Sequence, residues 1–150
     1  MIFATIGTTA FSALVKVVDD LSPILPEPII LQIGRIGYDP QHCKYFRFAP
    51  SLTPYYERAS LVISHGVLGT VSDLMRGGYP LVAVEDPGQP DRHQRQILEV
   101  WEKAGHLIWC KDLRRLSQAI EQAKSYHFTP YVPPECQIHT IIAEFLDSLG

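Results

Sequence analysis

Apolar and polar positions alternate along the chain in two rhythms. Six short runs, at residues 2–6, 29–33, 45–48, 61–64, 81–84 and 107–109, are almost continuously apolar. Runs of this length predict strands, and the lack of strict alternation predicts that most are covered on both faces, as in a parallel sheet between helices. The segments between them, at residues 11–21, 54–58, 70–76, 92–104 and 113–124, carry amphipathic spacing and predict helices. Gly77-Gly78 and Gly105 stand where helix C-terminal caps belong. The expected fold is α/β, a Rossmann-like parallel sheet with helices on both faces.

Towards the end the rhythm changes. Residues 126–137 hold three of the 12 prolines and predict an extended connection. From Ile138 the apolar residues Ile138, Ile141, Ile142, Phe145, Leu146 and Leu149 form one helical stripe, predicting a terminal helix over 138–149. That stripe suits packing on the chain's own sheet, or a docking face for a partner or for self-association. No internal repeat or low-complexity tract interrupts the pattern, and 150 residues suit one domain, 1–150, with a single core.

Composition narrows the function. With 13 Lys plus Arg against 16 Asp plus Glu, net charge −3, there is no basic excess for nucleic acid, and none is expected as a partner. The three cysteines, Cys43, Cys110 and Cys136, are widely spaced, without a C-x-x-C pair, and read as reduced thiols. No run approaches the ~20 apolar residues of a membrane span, and the N-terminus lacks the features of a signal peptide, so a cytoplasmic location is expected.

In a parallel sheet, ligands bind beyond the carboxyl ends of the strands, where helix N-termini offer free N–H groups. Three loops there are rich in glycine or polar groups: Gly7-Thr8-Thr9, the stretch from Ser64 and His65 through Gly66, Leu68 and Gly69 to Thr70, and residues 86–94. All three should open on one edge. In the second, two glycines three apart permit close backbone approach before a helix expected to start at Thr70, a geometry that accepts a diphosphate without a metal. Asp73 would lie on the first turn, where its carboxylate can hold ribose hydroxyls. Equally, Thr70 and Asp73 fit a capping box, as do Asp91 and Gln94. Asp91, His93 and Gln94 could instead hydrogen-bond a bound sugar, and His65 and His93 are candidate general bases.

The stretch 61–84 followed by Asp91-Arg92-His93-Gln94 resembles the donor-binding, C-terminal half of GT-B glycosyltransferases of family 28. Residues 2–9 with Phe11 are similar to the opening strand and Gly-Thr-Thr turn of that family's stand-alone donor subunits, from dolichol-linked N-acetylglucosaminyltransferases and bacterial exopolysaccharide glucuronosyltransferases. The likeness runs from residue 1 to about 125. It implies transfer of a sugar from UDP-N-acetylglucosamine or UDP-glucuronate to a lipid-linked acceptor, with no metal or other cofactor. The diphosphate would sit at Gly69 and Thr70, the ribose at Asp73, the uracil against backbone at Phe48 and Ala49, and the donor sugar near Gln94. The resemblance also implies a membrane-associated acceptor-binding subunit that carries the catalytic base and holds this chain at the cytoplasmic membrane face, so no catalytic residue is assigned here. Two positions depart from the family pattern: Val67 replaces a small residue, and Arg92 an Asn. Arg92 suits a hexuronate carboxylate. A non-catalytic nucleotide-sugar module, or half of an epimerase or hydrolase, are the competing readings.

Overall fold

The computed structural model describes residues 1–86 and 92–132; Cys136, the end of the expected connection and the expected terminal helix lie outside them. Six strands, β1 (Ile2–Thr5), β2 (Ile29–Gln32), β3 (Lys44–Phe46), β4 (Leu61–His65), β5 (Leu81–Val84) and β6 (Ile108–Cys110), form one sheet in the order β3-β2-β1-β4-β5-β6. Every pairing is parallel. The helices are α1 (Ser12–Leu21), α2 (Thr53–Arg58), α3 (Leu68–Arg76), α4 (Arg92–Lys103) and α5 (Leu116–Ser125). The expected α/β architecture is the observed one.

Alternate residues of the inner strands feed two separate cores. Ile2, Ala4, Ile63, Val82 and Val84 pack with Leu14, Val15 and Val18 of α1 and Leu116 and Ile120 of α5. Phe3, Val62, Leu81 and Ala83 face the other way, onto Val71 and Leu74 of α3 and Leu98 of α4. Both faces of β1, β4 and β5 are thus withdrawn from water, which is why these strands read as unbroken apolar runs.

The edge strand departs from expectation. The run at 45–48 yields a strand at Lys44–Phe46, with Lys44 and Tyr45 exposed and Phe48 beyond its end. One partner strand suffices there, and β3 is placed instead by Asp19 of α1. That carboxylate is fully buried and accepts hydrogen bonds from the Tyr38 hydroxyl and the N–H groups of Gln41, His42 and Cys43, at 2.7–3.1 Å. Burial, the largest influence, acts to raise its pKa, yet the bonds from Gln41, Tyr38, His42 and Cys43 together outweigh it and hold the carboxyl below its ordinary value. The same bond pushes the Tyr38 hydroxyl up to about 12.

Helix starts account for most other differences. The expected helix at 113–124 begins as a 3₁₀ turn, Leu113–Arg115, whose start Asp112 caps by accepting the Arg114 N–H at 3.0 Å. Gly78 and Gly105 end their helices with φ of +75° and +82°, conformations that L side chains avoid.

Candidate functional site

The chain runs from β1 outward to β3 and then returns to the other side of β1 as β4. Loops leaving β1 and β4 therefore diverge, and the crevice between their carboxyl ends is the topological switch point of the sheet. Gly7 and His65 meet there.

The first loop is closed on itself. Thr9 donates both its N–H and its hydroxyl to the Ile6 carbonyl, at 3.0 and 2.6 Å. Gly7 has φ +58°, and a Cβ there would stand 2.9 Å from the His65 ring carbon Cε1. Thr8, between them, is exposed. His65 is buried at the end of β4, its Nδ1 3.4 Å from the Thr5 carbonyl, and burial lowers its pKa despite that contact. The imidazole is therefore a neutral support beneath Gly7. Ser64 is buried as well, its hydroxyl donating to the His65 carbonyl at 2.9 Å, so it shapes the strand end.

The second loop corrects the expected helix start. Val67 takes an extended N-cap conformation, so α3 begins at Leu68, two residues before Thr70. Thr70 is the third helical residue and Asp73 the sixth. The proposed Thr70–Asp73 capping box is thus absent, and Asp73 lies on the second turn, exposed, beside Tyr56. Burial chiefly, and then the Asp73 charge, raise the Tyr56 pKa. No side chain among the described residues caps α3, and its first turn holds no acid, which leaves the leading N–H groups and the positive dipole end presented outward. Gly66 is buried, and a Cβ there would meet the Val84 carbonyl at 3.2 Å, whereas above Gly69 there is open space. Leu68, half-buried, packs on the α3 side of the core.

Across the crevice, the Gln94 side-chain amide donates to the Gly66 carbonyl, tying α4 to the second loop. Arg95 pairs with the buried Glu85 at 2.9 Å and anchors the same end of α4 to β5. Asp91 lies outside the described residues, and His93 stands on the first turn of α4. Thr9, Phe11, His65, Gly66, Val67, Asp86 and Gln94 line a recess of about 50 Å³. Larger cavities lie elsewhere: about 410 Å³ beside edge strand β6 and about 340 Å³ among Ile2, Leu61 and Pro80 at the amino ends of the strands. Neither gathers the glycine-bearing loops. Among the described residues, no cluster of three or more His, Cys, Asp or Glu could hold a metal ion, and no helix is long and apolar enough to cross a membrane.

Ala49 reaches the same edge from β3. Arg47 donates from Nη1 to the carbonyls of Gly34 and Ile36 at 3.1 and 2.9 Å, and the Arg35 guanidinium lies 5.8 Å from the Phe48 ring centre. The structure thus gathers Thr9, His65, Gly66 and Gln94 around one recess, with Gly7 against the His65 ring and the α3 start and Ala49 on the same sheet edge. It also adds Thr5, Gln32 and Gly34, which sequence reasoning missed. Their one signal was polarity inside an apolar strand: Thr5 and Gln32 close β1 and β2, and both are buried.

The family model described as the glycosyltransferase family 28 C-terminal domain matches residues 1–138. Human "UDP-N-acetylglucosamine transferase subunit ALG13" is 32% identical over 142 residues, covering 86% of this chain and 12% of that protein. The chain spans only about a tenth of the length of the mammalian relatives it matches. Among solved structures, the NMR structure of ALG13 aligns with a TM-score of 0.64 at 20% identity, covering 88% of this chain and 89% of that one. MurG from Acinetobacter baumannii aligns with a TM-score of 0.66, also at 20% identity, over 83% of this chain and 41% of that one. At that identity the structural matches establish the fold.

Proposed function

The chain belongs to the glycosyltransferase family 28 C-terminal domain family, and from that membership we propose that it binds the UDP-sugar donor of a glycosyltransferase. The donor is UDP-N-acetylglucosamine, as the names of the ALG13 relatives suggest, and the acceptor is a lipid-linked sugar held by a membrane-associated partner subunit. The observation that carries this reading is the uncapped α3 N-terminus opening on the β1–β4 crevice between Gly7, Gly66 and Gly69.

The chemistry follows from that geometry. An acceptor hydroxyl attacks the anomeric carbon of the donor sugar, the bond from that carbon to the β-phosphate oxygen breaks, and UDP leaves with the electron pair. The α3 amides and dipole stabilise the negative charge growing on the diphosphate, so binding proceeds without a metal. Asp73, clear of any capping duty, accepts hydrogen bonds from the ribose hydroxyls, and the backbone at Ala49 reads the uracil. The base that takes the acceptor proton belongs to the acceptor-binding subunit. The recess of about 50 Å³ is far smaller than the 300 Å³ or more of a typical enclosed ligand site, consistent with an open half-cleft that a second domain closes.

Calorimetric titration with UDP-N-acetylglucosamine and UDP-glucuronate, with and without chelator, tests the proposal. Saturable binding is expected, unchanged by chelator and stronger for the first sugar. Asp73→Ala should weaken it about tenfold, the order of one or two lost hydrogen bonds to a charged group, at an unchanged melting temperature. Absence of binding by the wild-type chain would sink the donor reading, and a requirement for divalent metal would sink the proposed role of the α3 amides.

A further inference from the structure

We infer that Gln32 is a positioning residue that sets the spacing between the loop carrying Gly7 and the loop carrying Ala49. It closes β2, after three apolar residues, and is 2% exposed. Its side-chain amide makes every hydrogen bond open to it. Oε1 accepts the Thr5 hydroxyl at 2.5 Å and the Gly7 N–H at 2.8 Å, while Nε2 donates to the carbonyls of Gly7 at 2.9 Å and Arg47 at 2.8 Å.

Strands β1 and β3 do not touch, because β2 lies between them. Ladder bonds consequently cannot join their loops directly. Gln32 reaches both from the middle strand, holding Gly7 by its N–H and its carbonyl and gripping Arg47 two residues before Ala49. Oxygen and nitrogen are both needed, since an acceptor in place of Nε2 would face two carbonyl oxygens. The inference rests on the donor-site reading: a nucleoside diphosphate spans from the base edge at Ala49, past Gly7, to the phosphate edge at the α3 start, so an error in loop spacing is felt as lost donor affinity.

Gln32→Glu keeps the shape and replaces the donating nitrogen with an oxygen. Burial against two carbonyls raises such a carboxyl above its usual ~4.3, so the protonated form, able to donate one bond, gains as pH falls from 8 to 5.5. Among the described residues, the other titratable or charged groups around the cluster are His65 beneath Gly7, the guanidiniums of Arg35 and Arg47, and Asp39, which pairs with Arg47 at 3.3 Å; all are shared by variant and wild type. Affinity for UDP-N-acetylglucosamine is measured for both proteins from pH 5.5 to 8 and expressed as a ratio. We expect Gln32→Glu to bind on the order of tenfold more weakly at pH 8, the loss expected for one or two broken buried hydrogen bonds, and to recover part of that at pH 5.5. A ratio within twofold of unity at pH 8 overturns the inference, and so does a loss that stays constant with pH, because it would come from packing. A wild-type chain that binds no UDP-sugar overturns the donor reading itself, and this inference with it. Should Gln32→Glu fail to fold, Thr5→Val removes the hydroxyl bond to Oε1 together with the bond that this hydroxyl accepts from the Gly7 N–H at 3.1 Å. A loss of about threefold is then expected, and unchanged affinity overturns the inference.

Discussion

Two glycines with similar sequence surroundings do opposite work, and the difference is open to test. Gly7 sits at φ +58° with the His65 ring against it, so a side chain there is both strained and obstructed. Gly69 is helical, and nothing stands within 4 Å of where its Cβ would be. Gly69→Ala should therefore keep the fold or stabilise it by up to ~1 kcal/mol through helix propensity, while the new methyl group intrudes on a diphosphate lying over the α3 start. Binding of UDP-N-acetylglucosamine weakened on the order of tenfold at an equal or higher melting temperature is the expected pair of results. Gly7→Ala should lower melting temperature and affinity together. Unchanged affinity in Gly69→Ala would place the diphosphate elsewhere. His65 also belongs to this scale: burial lowers its pKa, and the ring packs directly beneath Gly7.

Elements are positioned by a few polar anchors as much as by their own propensities. Helix α3 starts where Val67 turns extended, and that start converts Asp73 from a capping acid into an exposed carboxylate on the second turn. The edge strand β3 depends on Asp19 of α1, whose removal strands the N–H groups of Gln41, His42 and Cys43. Asp19→Ala should cost about 2–4 kcal/mol, from buried donors left unpaired. In a chain of this size that lowers the melting temperature by roughly 5–15 °C. Calorimetric melts check it. The pH dependence has a definite sign. A carboxyl depressed on folding binds its proton more weakly in the native state than in the unfolded one. Its stabilisation is thus complete above the unfolded value near 3.8 and is lost as pH falls through the lower folded value. The wild-type melting temperature should fall in that acid window, and Asp19→Ala should show less of the fall.

At the scale of the molecule, the parallel order β3-β2-β1-β4-β5-β6 brings four loops from distant parts of the chain to one edge. The proposed site is an open edge of the sheet, and a ligand bound there stabilises the whole cooperative unit. UDP-N-acetylglucosamine at a hundred times its dissociation constant should add ~2.7 kcal/mol, a rise of roughly 5–10 °C in melting temperature. The rise should persist with chelator present. A melting temperature indifferent to saturating donor would contradict a site built into the fold.

The sequence alone determined the fold class, five of the helices and the strands to within a few residues, because unbroken apolar runs and amphipathic spacing are local records of what each segment must bury. It also pointed to the Gly7, Gly66 and Gly69 turns, since glycine is written wherever backbone must turn tightly or lie close. Tertiary structure decided the rest. Whether Asp73 caps a helix or stands exposed on its second turn depended on a helix start two residues earlier, set by the conformation of Val67. The neutrality of His65 depended on β1 lying beside β4, and the role of Gln32 on β2 lying between β1 and β3. Such properties arise from neighbours far apart in the chain, and no local pattern of residues encodes which neighbours those are.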